Sequence, residues 1–134
     1  MGYDDLEMFY EKLGEQKKYH GIIQRILQLY PAYLSQHSDD TYRRMAFAVT
    51  LAKADKFEEA KAEGSQALAL SAGDPVMMYY GACLYARLQE KKLAVESLRN
   101  AVSSGYGNFD WIKRDPDFDS IRNEPEYIEL MKGR

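Results

Sequence analysis

Four carboxylates in the last third of the chain, Asp110, Asp115, Asp117 and Asp119, fall close enough together to suggest a calcium loop, in which alternate residues wrap a hard cation. Pro116 interrupts that run, and neither the glycine needed at the sixth loop position nor the glutamate needed at the twelfth is present. Helix capping is the cheaper account of these residues. The single cysteine, Cys83, sits in the apolar stretch from Met77 to Tyr85, without a neighbouring histidine or cation to stabilise a thiolate, so a reactive thiol is not expected. His20 and His37 lack the Glu-x-x-His or His-x-x-x-His companion that helical zinc ligation requires, and surface histidine is the expectation for both. Gly105-Tyr106-Gly107 begins like a dinucleotide loop but lacks the third glycine and follows a helical pattern rather than a strand, so it is expected to be a turn. With no nucleophile paired to a base and no ligand cluster, the expectation is a non-enzymatic chain that needs no metal and no cofactor.

The elements that carry these residues are helical. Ala48, Ala52, Ala60 and Ala67 recur as Ala82, Ala86, Ala94 and Ala101, each pair 34 positions apart. Small residues at helical spacing, repeated every 34 positions, are what stacked helix-turn-helix units need for close helix approach. Ser38-Asp39-Asp40-Thr41 supplies N-cap candidates for a helix over 42–54, and Asp55-Lys56 makes the turn. The partner helix runs from Phe57 to Leu70, with Phe57, Ala60, Gly64, Ala67 and Leu68 on one side. Gly73-Asp74-Pro75 opens the next unit, with Asp74 as N-cap and Pro75 at the first helical position; helices follow over 76–88 and 92–103, ending at Gly105. Upstream, Leu6, Tyr10, Gly14, Tyr19, Ile23 and Ile26 fit the same frame if about seven residues are inserted before Asp40. This gives a degenerate first unit with Pro31-Ala32-Tyr33-Leu34 as a longer exit.

At 134 residues the chain suits one domain. A net charge of -3 lacks the basic footprint expected of a nucleic-acid or anionic-membrane binder, so neither is an expected partner. No apolar run approaches the roughly 20 residues of a membrane span, and Leu6 stands where a myristoylation signal needs Ser or Thr. One cysteine and a start, Met1-Gly2-Tyr3-Asp4-Asp5, without signal-peptide character make the cytoplasm the expected location.

The 34-residue pattern resembles the tetratricopeptide repeat family, whose units set a bulky residue, Leu-Gly, Tyr, Ala, an aromatic, Ala and Pro at fixed offsets. The resemblance covers about residues 3 to 104. It is closest at Asp55-Lys56-Phe57-Glu58-Glu59-Ala60, with Ala48, Leu51 and Ala67, then Ala82, Tyr85, Ala94 and Ala101, at family positions. Arg44 and Met78 replace the family Trp, and Gly64 replaces an aromatic. The resemblance implies an all-α, right-handed solenoid: a degenerate repeat over about 3–37, a second over about 41–73, a third over about 75–105, and capping helices over about 109–132. That last segment is similar to the end segments that follow such repeats in multidomain signalling proteins. Its Asp115-Pro116 and Glu124-Pro125 steps each open a short helix, while Trp111, Ile112, Phe118, Ile121, Tyr127, Ile128 and Met131 offer apolar cover for the last repeat.

The same resemblance implies a concave groove lined by Tyr42, Met45, Val49, Ala52 and Lys53, by Val76, Tyr79, Cys83, Ala86 and Arg87, and in the first unit by Asp4, Met8, Glu11 and Lys12. Its aromatic and methionine side chains suit an amphipathic helix or extended peptide. Lys12, Lys53 and Arg87 share one position and form either a rail for an acidic ligand or ordinary helix C-terminal cations favoured by the dipole. The clamp that some members use on an acidic chaperone tail has its positions at Asp4, Met8, Ala46, Val76 and Tyr80, none of which carries the required group. The expectation is a scaffold binding a protein or peptide in a mainly apolar groove. The alternative is a regulatory or dimerisation segment of a larger signalling enzyme, its groove filled by another copy or by its own chain.

Overall fold

A computed structural model describes residues 3–134, with side chains from residue 6 onward. The groove position at Asp4 and the start at Met1-Gly2 therefore lie outside the described residues. The fold is all-α: α1 (Tyr3–Leu13), α2 (Gln16–Gln36), α3 (Thr41–Lys53), α4 (Phe57–Leu70), α5 (Pro75–Arg87), α6 (Lys91–Ser103), α7 (Phe109–Arg114), a 3-10 helix (Pro116–Ile121) and α8 (Pro125–Met131). Among the described residues no helix is long and apolar enough to cross a membrane.

Local chemistry sets the helix starts. Asp40 accepts from the Arg43 backbone N–H at 3.1 Å, and Asp74 accepts from that of Val76 at 2.9 Å ahead of Pro75, whose missing donor costs nothing at a first helical position. One turn geometry then recurs between paired helices. Gly14, Asp55 and Gln89 adopt left-handed φ of 72°, 62° and 63°. The next residue's N–H bonds back to Tyr10, Leu51 and Tyr85 respectively, at 3.1, 2.9 and 2.9 Å, which satisfies a carbonyl orphaned at the helix end.

These turns fold α1 on α2, α3 on α4 and α5 on α6, while α3 also packs along α5. The eight recurrent alanines are all buried at the crossings, none more than 3 % exposed. Gly64 of α4 and Gly81 of α5 extend the same logic reciprocally: Leu84 of α5 fills the space over Gly64, and Leu68 of α4 lies over Gly81.

The helical exit differs from expectation at Pro31. Helix α2 runs straight through it to Gln36, because Tyr30 and Leu34 are buried on either side and the Tyr30 ring meets Phe47 of α3 at 6.2 Å. Pro31 itself is exposed, which leaves solvent free to satisfy the carbonyl it strands.

The C-terminal segment also does more than cover the end of the last helix pair. Ile112, Phe118 and Ile121 are fully buried, and the segment packs on α5 and α6. Its 3-10 helix reaches across to α1. Phe118 meets Tyr79 edge-on at 5.4 Å, and Tyr79 stacks on Tyr106 at 4.3 Å, so the face of α5 that carries Tyr79 is filled by the protein's own chain.

Candidate functional site

Two members of the basic column, Lys53 and Arg87, point inward. Lys53 ends α3 with its side chain only 3 % exposed, and its ammonium lies 2.6 Å from Glu7 Oε1, 3.5 Å from Glu11 Oε1 and 3.6 Å from Asp117 Oδ1. Arg87, in the equivalent place on α5, donates from Nε to Asp117 Oδ1 at 2.7 Å and from Nη2 to Glu11 Oε2 at 2.6 Å. Glu7 also accepts from the buried Thr50 hydroxyl at 2.9 Å. The two glutamates are four residues apart on α1 and so share one face. Asp117 is positioned by the Asp115-Pro116 step: Asp115 Oδ1 caps the 3-10 helix by accepting from the Asp117 N–H at 2.9 Å. Its Oδ2 accepts from the Tyr79 hydroxyl and, at 3.8 Å, from the Cys83 thiol. Elements α1, α3, α5 and the 3-10 helix are thus joined at one buried point.

The titration behaviour follows from that geometry. Burial would deprotonate Lys53, but the carboxylates of Asp117, Glu7 and Glu11 outweigh it and hold the ammonium above its ordinary range. Burial also opposes ionisation of Asp117, yet Lys53 and Arg87 keep its carboxyl below the usual carboxylate range. Glu7 moves upward, because burial exceeds what Lys53 and Thr50 return. Asp115 rises to about 6, through burial and then through repulsion from Asp117. Burial and the two aspartates push the Cys83 thiol well up, so it is a neutral donor and a poor nucleophile.

Cys83, Asp115 and Asp117 bring three potential ligand atoms within 4.8 Å of one another. The donor set does not fit a metal ion: Lys53 and Arg87 already neutralise Asp117, and the Tyr79 hydroxyl and Cys83 thiol both donate to Asp115. His20 and His37 are both exposed, beside Tyr19 and Tyr33.

Helix α1 does not pack along α3 as α3 packs along α5, and a cleft of about 750 Å³ opens between α1, α3, α5 and α7. Of the residues assigned to the groove, Met8, Lys12, Tyr42, Met45, Val49, Lys53, Tyr79 and Cys83 line it, whereas Glu11, Ala52, Val76, Ala86 and Arg87 lie outside it. Met45, Val49, Tyr79 and Cys83 form its buried base rather than an open face. Tyr42, 46 % exposed, stands at the mouth beside Tyr80, their rings meeting edge-on at 6.0 Å. Its hydroxyl donates to the Asp74 carboxylate. Lys12 is exposed, and its ammonium lies 4.9 Å over the Trp111 ring rather than in the buried network. Val76 is exposed on the first turn of α5.

Sequence reasoning missed Glu7, Glu11 and Asp117 as partners of Lys53 and Arg87, and Asp115 as the carboxylate that holds Tyr79 and Cys83. The Glu7 and Glu11 spacing was an available signal. Asp115 and Asp117 carried none beyond capping, because their second role depends on where the chain returns after α6.

No protein-family model matches the chain, and no solved structure matches it. Over 57 residues, 42 % of its length, the chain is 33 % identical to a chloroplastic protein from Arabidopsis thaliana. It spans 17 % of that relative.

Proposed function

We propose that this chain is a protein-interaction module of tetratricopeptide type: three helix-turn-helix units in a right-handed solenoid with a C-terminal cap. In this reading it is non-enzymatic, acts in the cytoplasm and binds a segment of a partner protein. The 34-residue recurrence of buried alanines, together with the shared turn after Leu13, Ala54 and Leu88, supports the repeat reading. The observation that carries the binding reading is the cleft itself, about 750 Å³ and walled by Met8, Phe9, Tyr42, Tyr80 and Trp111. Large aromatic surfaces at a concave site favour a peptide that can bury apolar side chains at modest ordering cost.

Placing benzoylphenylalanine at position 42, at the cleft mouth, and in a separate protein at position 99, exposed on α6, tests this by photocrosslinking. A partner captured from position 42 and absent from position 99 supports the reading. Identical captured sets would remove the cleft as the binding surface. A second reading seats another copy of the chain here and draws on Phe9 and Leu13, 48 % and 60 % exposed on α1. A molar mass independent of concentration would count against it.

A further inference from the structure

The charges beneath the cleft do not balance. Four carboxylates, Glu7, Glu11, Asp115 and Asp117, meet two cations, Lys53 and Arg87, and both cations are already engaged by Glu7, Glu11 and Asp117. Asp115 is 1 % exposed and makes no salt bridge among the described residues. Its carboxylate oxygens accept only from neutral donors, the Tyr79 hydroxyl, the Cys83 thiol and the Asp117 N–H, while Arg122 Nη2 donates to its backbone carbonyl at 2.6 Å. The remaining cations on the cleft, Lys12 and Arg43, are exposed at its rim. Lys12 lies over Trp111, and Arg43 Nη1 reaches the Tyr30 hydroxyl at 3.5 Å. The cleft is therefore acidic in its depth and aromatic on its walls.

We propose that this cleft takes a partner segment that inserts one arginine or lysine side chain between the aromatic walls toward Asp115 and Glu7, with apolar residues flanking it. The inference rests on the cleft being the partner site. It reverses the sign of ligand that the Lys53 and Arg87 column alone would suggest, because the chain's own carboxylates already occupy that column. An acidic side chain pushed to the same depth would meet Glu7, Asp115 and Asp117, and a neutral one would leave Asp115 without a cation. A guanidinium or ammonium gains a buried ion pair at its tip and cation–π contact with Tyr42, Tyr80 or Trp111 along its path.

The test is selection of a displayed library of random dodecamers on the intact chain, followed by solution binding read from the emission of Trp111, the one tryptophan. Enrichment of peptides with one basic residue among apolar ones is expected. Arginine-to-citrulline replacement in an enriched peptide should weaken binding about ten-fold or more, and Asp115→Asn should abolish that discrimination. The citrulline comparison stands even if Asp115→Asn fails to fold. Enriched peptides that shift Trp111 emission yet carry no basic residue, or that tolerate citrulline, would overturn the basic-ligand proposal and leave the cleft as a partner site. No enrichment above the bare support would overturn both.

Discussion

Arg87 Nε and Asp117 Oδ1 lie 2.7 Å apart, joining the last residue of α5 to the 3-10 helix that follows α7. With Lys53 on the same carboxylate and Glu7 and Glu11 opposite, this pair belongs to a buried electrostatic joint, so Lys53 and Arg87 do not form an exposed rail.

The joint has more carboxylates than cations, so its members are not equivalent. Lys53→Ala strands Glu7 without its cation, leaves Asp117 on Arg87 alone and should cost about 3–5 kcal/mol, the penalty for uncompensated buried charge. Asp117→Ala leaves Lys53 on Glu7 and Arg87 on Glu11, and should cost about 1–2 kcal/mol for the hydrogen bonds lost. Urea unfolding of the two variants gives the order. Equal losses, or none for Lys53→Ala, would contradict a buried, cation-limited joint.

The paired glycines make a second, steric prediction. Alanine at Gly64 gains about 1 kcal/mol of helix propensity, but its Cβ would collide with Leu84 Cδ2, and Leu84 is itself 2 % exposed with little room to move. Net destabilisation of about 1 kcal/mol is expected. Alanine at Gly81 meets only the Cδ2 of half-buried Leu68, at 3.2 Å, and should be neutral or stabilising by up to about 1 kcal/mol. Thermal melts of both variants with the same sign and size would refute the asymmetry.

Much of this architecture was legible because it is local. The Asp40 and Asp74 caps and the turn at Asp55-Lys56 each depend on residues within one or two helical turns, and the alanines, which recur 34 positions apart, mark helix crossings by their size alone. Pro31 misled because its local effect was outweighed by burial of Tyr30 and Leu34, which only the packing partner in α3 decides. The candidate site was half legible for the same reason. Lys53 and Arg87 fall on one stripe by spacing, but the carboxylates that neutralise them come from α1 and from the chain's return after α6, at separations no periodicity encodes.

Acidification should stabilise the protein across mildly acidic pH. Asp115 has a folded value of about 6 against an ordinary 3.8, so the folded state binds the proton more tightly. Its contribution is complete below about 3.8 and is lost as pH rises through about 6, at most about 3 kcal/mol in all. Glu7, also raised, acts in the same direction. Asp117, held low by Lys53 and Arg87, has the opposite sign and withdraws stability once pH falls below the ordinary carboxylate range. Urea midpoints from pH 3 to 8 should therefore pass through a maximum at roughly pH 4–5, and Asp115→Asn should flatten the fall that this group contributes between about pH 4 and 6. A midpoint that climbs steadily from pH 5 to 8 would be inconsistent with a buried, cation-deficient Asp115.

Cys83 offers a direct probe of whether the joint opens as a unit. Its thiol is 2 % exposed, donates to Asp115 and is held protonated by burial and by the neighbouring aspartates. A disulfide reagent therefore needs the C-terminal segment to separate from α5 before it can attack, and labelling should follow the free energy of that opening. In the native protein the reaction should be at least about a thousand-fold slower than in urea. Because Lys53 ties α3 and α1 to the same aspartate, Lys53→Ala should accelerate labelling about a hundred-fold or more, although Lys53 makes no hydrogen bond to the cysteine. Asp117→Ala should accelerate it about ten-fold, in proportion to its smaller stability loss. If Lys53→Ala left the rate unchanged while Asp117→Ala raised it, the segment would be opening locally, and α1, α3, α5 and the 3-10 helix would not form one cooperative unit.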